Sequence, residues 1–264
     1  VRHHNAERRD TTQARQFREY VNVSDVDIVS KRRLGICAAI IAVCVALNFL
    51  SPLIINHQRV LAPTESTLLF DGPSALTRTL LIMEGPSEEN PKKEALTMSA
   101  TVRDDGAVIA EDSFEVNPAS AYPTSGRQGL GYVLPYNPER RSYPFYDPLA
   151  DLVVPLDYLG AGWVAGLETY RYTATIDVPE YHAERTIDVE RRTGRLLDES
   201  WTITRGPLKG LYTLSDESKA AAASAALHDV HILKSLQVMA FVTRLVSALA
   251  LFYAFVLLVR RRRD

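Results

Sequence analysis

Few side chains in this chain of 264 residues are spaced for catalysis. His228 and His231 stand three positions apart with Asp229 between them, a spacing that can put two nitrogen ligands on one helix face. A metal would need further ligands from elsewhere, His182 being one source, and a polar stripe near lipid headgroups is the preferred explanation of the pair; no metal site is expected. The chain carries no Gly-x-Ser-x-Gly, no phosphate-cradling loop and no Gly-x-Gly-x-x-Gly, so neither a catalytic residue nor a cofactor is expected. The glycines from Gly126 to Gly131 read as a turn. Arg140 and Arg141 lie beside Tyr143, Phe145 and Tyr146, a set that could grip an anionic or sugar headgroup through charge and stacking. Solvated arginines on a loop are the plainer alternative. Arg244 interrupts an otherwise apolar run, where a cation costs about 2.5–3.5 kcal/mol at the centre of a spanning helix. It either snorkels to headgroups or contacts a partner protein or an anionic lipid.

The elements that would position these residues begin with two apolar stretches. Leu34–Ile55 holds no charged residue, and Leu236–Val259 holds only Arg244. At about 1.5 Å per helical residue, each is long enough to cross a hydrocarbon core about 30 Å thick. Lys31, Arg32 and Arg33 precede the first, and Arg260–Arg263 follow the second. The positive-inside rule then predicts both termini in the cytoplasm and the intervening domain outside the plasma membrane. Between His57 and Ser235, 17 Lys+Arg face 26 Asp+Glu, so the near-neutral total hides an acidic outer domain between basic ends. An acidic domain whose basic clusters hug the membrane excludes a nucleic-acid partner. The n-region and apolar run are too long for a cleaved signal peptide, so the first span is expected to remain as an anchor. Both cysteines, Cys37 and Cys44, fall on one face of that span as small lipid- or helix-facing residues, and the outer domain folds without disulfides.

Residues 1–33 read as a flexible cytoplasmic tail, 34–56 as the first transmembrane helix and 57–214 as the β-rich outer domain. Ser24–Asp27 could cap a short helix running into the first span. Within the outer domain, Ser66–Phe70, Thr79–Met83, Thr97–Arg103 and Ala107–Val116 have strand composition, with Asp105-Gly106 turning the last two into a hairpin. Gly166–Asp177 alternates strictly. Arg185–Glu190 and Arg195–Thr204 flank a second turn at Thr193-Gly194. The prolines of Tyr132–Asp147 point to an irregular ordered loop with aromatic anchors. Ser215 caps a final helix with Asp216 and Glu217 in its first turn and an alanine-rich run after Lys219. With no proline or glycine beyond Leu211, one helix is expected from about Asp216 to Arg260. Its part over 215–235 is then periplasmic, 236–259 is the second span and 260–264 a cytoplasmic end. The fold class is membrane-anchored α+β: two transmembrane helices flanking an antiparallel β-rich extracytoplasmic domain.

Three segments in the second half carry a resemblance. Glu139-Arg140-Arg141-Ser142-Tyr143-Pro144-Phe145-Tyr146-Asp147 is a basic-aromatic motif. Gly166-Leu167-Glu168-Thr169-Tyr170-Arg171-Tyr172 is a tyrosine-bearing strand, and Val189–Trp201 is a Thr-Gly hairpin running into a polar strand. Together with terminal spans around an extracytoplasmic domain, they resemble the actinobacterial two-span envelope proteins of the PorA-type porin family. The resemblance implies a mycolate envelope and a β-rich periplasmic domain. In a mycobacterial relative it implies a link to trehalose mycolate handling and polar growth.

Two functions compete. One is a non-enzymatic accessory subunit that packs its spans and outer domain against a larger membrane complex, such as a respiratory supercomplex. The missing catalytic motifs, the long terminal helix and Arg244 favour it. The other is a periplasmic lipid- or glycolipid-binding protein of envelope assembly, favoured by the resemblance and by the Arg140–Tyr146 segment. The first is preferred on sequence. An enzyme ranks third, since no nucleophile stands out. A porin ranks last, because lone apolar spans offer no polar pore-lining face. Membrane lipids are expected partners in every case.

Overall fold

The computed structural model describes residues 32–261 apart from 34, 51, 57, 58, 88, 91, 125 and 207. The expected tail, with Ser24–Asp27 and Lys31, and the terminal Arg262 and Arg263 lie outside the described residues. The described chain forms two compact units, one joining the first helix to the end of the chain and one covering Asn56–Lys234.

In the first unit, helix α1 (Gly35–Asn56) and the lower half of helix α2 (Asp216–Arg261) are each long and apolar enough to cross a membrane. Cys37, Ile41, Cys44 and Asn48 recur at helical spacing on one face of α1, and both cysteines are buried. On α2, Thr243 is buried, with Ala240 and Ser247 partly covered one turn away on either side. These are the covered faces of the two helices. Small side chains allow close backbone approach where lipid supplies no hydrophobic drive. The hydroxyls are satisfied locally: Thr243 donates to the carbonyl of Met239 at 3.0 Å, and Ser247 to that of Thr243 at 2.8 Å. The cysteines are thus on the covered face of α1, and Arg244, one position past Thr243, is exposed off the covered face of α2.

The second unit is a ten-stranded antiparallel curled sheet. Its strands are β1 (Thr64–Asp71), β2 (Leu76–Pro86), β3 (Glu94–Asp104), β4 (Ala107–Val116), β5 (Tyr143–Asp147), β6 (Leu152–Val164), β7 (Leu167–Val178), β8 (Tyr181–Glu190), β9 (Leu196–Arg205) and β10 (Gly210–Leu214). Their order across the sheet is β4-β3-β2-β1-β10-β9-β8-β7-β6-β5. Two chain-consecutive meanders therefore meet at one seam, β1 against β10. That seam is short: β1 pairs with β2 through seven residues but with β10 only at Phe70↔Leu214 and Asp71↔Thr213. Helix α2 follows β10 and ties the seam. Leu69 donates its amide to the Ser218 hydroxyl at 2.9 Å, and its carbonyl accepts from the Ser215 amide at 2.8 Å. The Ser215 hydroxyl in turn caps the Ser218 amide, as expected of an N-cap.

The interior of the curl is filled. Leu76, Leu156, Tyr172, Ile176, Trp201, Ile203 and Tyr212 are all nearly inaccessible and belong to one core. A β-bulge where Asp188 and Val189 face Asp198 and Leu196 turns Leu197 to the other face of β9. There Leu197 joins Leu167, Ala226 and Val230, which is how α2 packs on the sheet. Lys219 to Asp198 (3.1 Å) and Arg195 to Asp229 (2.5 Å) flank that contact.

Residues Tyr143–Asp147 depart from the irregular loop expected of them: they form β5, and Leu152–Val164 form β6. Proline is tolerated because Pro144 and Pro155 face each other, so the missing amides cost each other's ladder nothing, and β5 is an edge strand. The sheet edges β4 and β5 are bridged by the 117–142 connection. Leu130 pairs with Phe145 of β5, and Pro123 with Val116 of β4. Arg127 is the clasp. It pairs with Asp112 of β4 at 2.6 and 3.0 Å and stacks on Phe114 of β4 and Tyr146 of β5, 3.8 and 4.4 Å from the ring centres. Arg127→Ala is expected to cost about 2–3 kcal/mol, as a charged hydrogen bond and stacking are lost and Asp112 is left unpaired. It should also raise hydrogen exchange in β4 and β5 ahead of the rest of the sheet.

Candidate functional site

Where β1 peels away from β10, a cleft of about 510 Å³ opens. Leu68, Leu80 and Ile82 form the wall on the β1–β2 side, and Leu196, Tyr132 and Val133 the opposite one. Ser218, Ala221, Ala222 and Ala225 of α2 cover it. The helix can lie this close because alanine presents only a methyl group, so the alanine run that favours helix also leaves room beside it. The turn at Gly194 closes one end. Its φ of 69° lies in the left-handed region, and any Cβ there would collide with the carbonyl oxygens of Leu134 and Pro135. The volume and the mainly aliphatic lining match a small-molecule site with a few polar groups.

One cation reaches this cleft from the core. Arg78 forks onto Glu199 with bonds of 2.9 and 2.7 Å, and both side chains are almost fully buried. The guanidinium stacks over Tyr132 at 4.1 Å. Behind it lies Arg185, held chiefly by rings: 3.9 Å over Trp201 and 5.3 Å over Tyr132. Its carboxylate neighbours, Glu199 at 3.5 Å and Asp147 at 3.9 Å, are within ion-pair range but not hydrogen-bonded to it. Burial alone would raise the Glu199 carboxyl, but Arg78 and Arg185 outweigh it and hold it below the usual carboxylate range. Burial likewise works against the Arg185 charge. Tyr132, Glu199 and Asp147 overcome it, and the guanidinium is held above its ordinary value. The cluster is a buried charged floor, with Arg78 at its edge lining the cleft.

The basic-aromatic motif is mostly architecture. Tyr143 and Phe145 are core residues of β5. The Tyr143 hydroxyl accepts from the Glu139 amide at 2.7 Å, and Tyr172 donates to the Glu139 carbonyl at 2.6 Å, which fixes the loop. Tyr146 donates to Asp151, a bond that with partial burial pushes its phenol up to about 12. Of its candidate side chains, Arg140 and Arg141 are the exposed ones. Arg140 rests on Tyr170, 5.3 Å from the ring centre, and Arg141 pairs with Glu139 at 2.9 Å. Neither lines the cleft, and Arg244 belongs to the other unit, so the six candidate residues do not form one site. Among the described residues no cluster of His, Cys, Asp or Glu could hold a metal. Asp229 pairs with Arg195, and His182 lies against Asp177.

The cleft and its charged floor were absent from the sequence reading, although a signal for the floor existed. Arg78, Arg185 and Glu199 each occupy an apolar register: Leu76-x-Arg78-x-Leu80-x-Ile82, Ala183-x-Arg185-x-Ile187 and Glu199-x-Trp201-x-Ile203. Charges at inward positions of three alternating strands must pair inside.

The family model described as Porin PorA matches residues 94–256, more than half of the chain. A curated protein, Porin PorA of Corynebacterium amycolatum, is 33% identical over 78 residues. That match covers 30% of this chain and 20% of the relative, so the chain aligns with about a fifth of the relative's length. The chain belongs to the porin PorA family, and with its two apolar helices it is a membrane protein of the cell envelope.

Proposed function

We propose that this porin PorA family member is a non-enzymatic envelope protein whose sheet domain holds the apolar part of a membrane-derived amphiphile, a lipid or glycolipid. The observation that carries this reading is the 510 Å³ cleft with its aliphatic walls and two paired arginines in its lining, Arg78 on the floor and Arg195, which is held by Asp229, at the Gly194 turn. That floor charge is already neutralised by Glu199, so the cleft favours acyl chains and hydroxylated heads over strongly anionic ones. In this reading the sheet domain lies outside the plasma membrane, and the basic flanks lie in the cytoplasm. Among the described residues the interior of the sheet is packed with core side chains, which favours binding over a channel. Native mass spectrometry of the full chain, released gently from nanodiscs, should show an adduct of lipid mass. Unliganded spectra together with no uptake of a fluorescent fatty acid would defeat the proposal.

A second reading rests on Arg244. It is exposed on α2, off the face carrying Thr243, amid exposed Phe241, Val242 and Leu245. An outward cation within a span calls for an acidic partner helix or a lipid phosphate. If the chain is an accessory subunit of a larger membrane complex, Arg244→Leu abolishes co-purification in mild detergent while leaving the sheet domain folded. Equal recovery of partners with wild type and variant would exclude Arg244 as the contact.

A further inference from the structure

The chain has two tryptophans in opposite settings. Trp201 is buried in the core, its indole N–H donating to the Tyr181 hydroxyl at 3.0 Å, whereas Trp163 is 70% exposed. Trp163 stands at the tip of the β6–β7 hairpin, paired with Glu168 and separated by Val164 from a two-residue turn. Ala165 (φ 48°) and Gly166 (φ 76°) both occupy the left-handed region that such a tight turn requires. The residues on either side of the turn fix where it sits. Val164 and Leu167, paired with each other, pack against Ala226 and Val230 of α2. The one acid at the tip is neutralised, Glu168 pairing with Arg191 at 2.6 Å.

Chain length supplies the partner. Val230 precedes Leu236, where the apolar run of α2 begins, by six residues. Those six residues cover about 9 Å as helix and no more than about 20 Å when fully extended. The hairpin tip is therefore held within reach of the headgroup layer whatever path the chain takes. Tryptophan, with an apolar body and one N–H donor, is the side chain enriched in that layer. Given the reading of α2 as a span, we propose that Trp163 is an interfacial anchor: the β6–β7 tip docks into the lipid headgroup region and tethers the sheet domain to the bilayer surface. This surface is distinct from the cleft.

The test uses the full chain reconstituted in vesicles of phosphatidylcholine and phosphatidylglycerol in equal parts. A lipid nitroxide is placed in turn at the headgroup and deep in the acyl chains. The difference between wild type and Trp163→Phe isolates the Trp163 emission. The expected result is a blue shift, strong quenching by the headgroup nitroxide, weaker quenching by the deep one, and protection from acrylamide. Long-wavelength Trp163 emission, untouched by either lipid quencher and as open to acrylamide as a free indole, would overturn the anchor. Failure of the chain to enter vesicles at all would instead overturn the reading of α2 as a span.

Discussion

Replacing Glu199 by alanine is expected to cost about 3–5 kcal/mol, the usual result of stripping one partner from a buried ion pair. The expectation is at the upper end because Glu199 answers two cations. Arg78 donates to it from both terminal guanidinium nitrogens, and Arg185 has it as the nearer of two carboxylates. Without it, two guanidiniums remain buried with only Asp147 and aromatic faces around them. Glu199→Gln keeps an acceptor but removes the charge, and should fall between wild type and alanine. The measurement is urea unfolding of the full chain in detergent, followed by the near-ultraviolet signal of Trp201, which lies against Arg185. The same residue sets a pH dependence. Its folded-state carboxyl is held below the ordinary 4.5, so its contribution is complete above that value and disappears as pH falls through the lower folded value. Glu199→Ala should therefore remove part of the acid limb of the stability profile. An unfolding midpoint and an acid limb both unchanged in Glu199→Ala would show that the cluster does not hold the sheet.

What the sequence made legible, and what it hid, follows from the range of the interactions. The strands with strict alternation were readable because period two reflects burial of one face, as in Tyr172-x-Ala174-x-Ile176. Helix α2 was readable end to end because capping at Ser215, alanine propensity and the absence of breakers are local properties. Strand β5 was not, because proline argues against a strand unless its cross-strand neighbour is also proline, and Pro144↔Pro155 is a non-local fact. The cleft was hidden for the same reason. It exists because β1 and β10 part after two residue pairs, and no stretch of sequence records where two distant strands diverge. The motif Arg140–Tyr146 looked like a site because arginine beside aromatic residues is typical both of ligand grips and of loop anchors. The hydrogen bonds of Tyr143 and Tyr172 to Glu139 assign its aromatic part to the second role.

The cleft itself makes the sharpest claim about function. Ala222 lies on the α2 face that covers it, half-buried, with no hydrogen bond of its own to lose. Ala222→Trp should fill the space with an indole while keeping the backbone helical, since the propensity cost is below about 1 kcal/mol. If the cleft holds an acyl chain, uptake of a fluorescent fatty acid by the full chain falls at least about tenfold, equivalent to about 1.4 kcal/mol of binding. The same variant loses the lipid adduct in native mass spectrometry. Ala220→Trp, on an exposed position of the same helix that does not line the cleft, should leave uptake unchanged. The pair separates occlusion from a general disturbance of α2: equal losses in both variants would point to helix damage. Undiminished uptake in Ala222→Trp would place the ligand elsewhere on the protein. Selective loss in Ala222→Trp, with the near-ultraviolet signal of Trp201 preserved, leaves the space between β1, the Gly194 turn and α2 as the place where the chain holds its lipid.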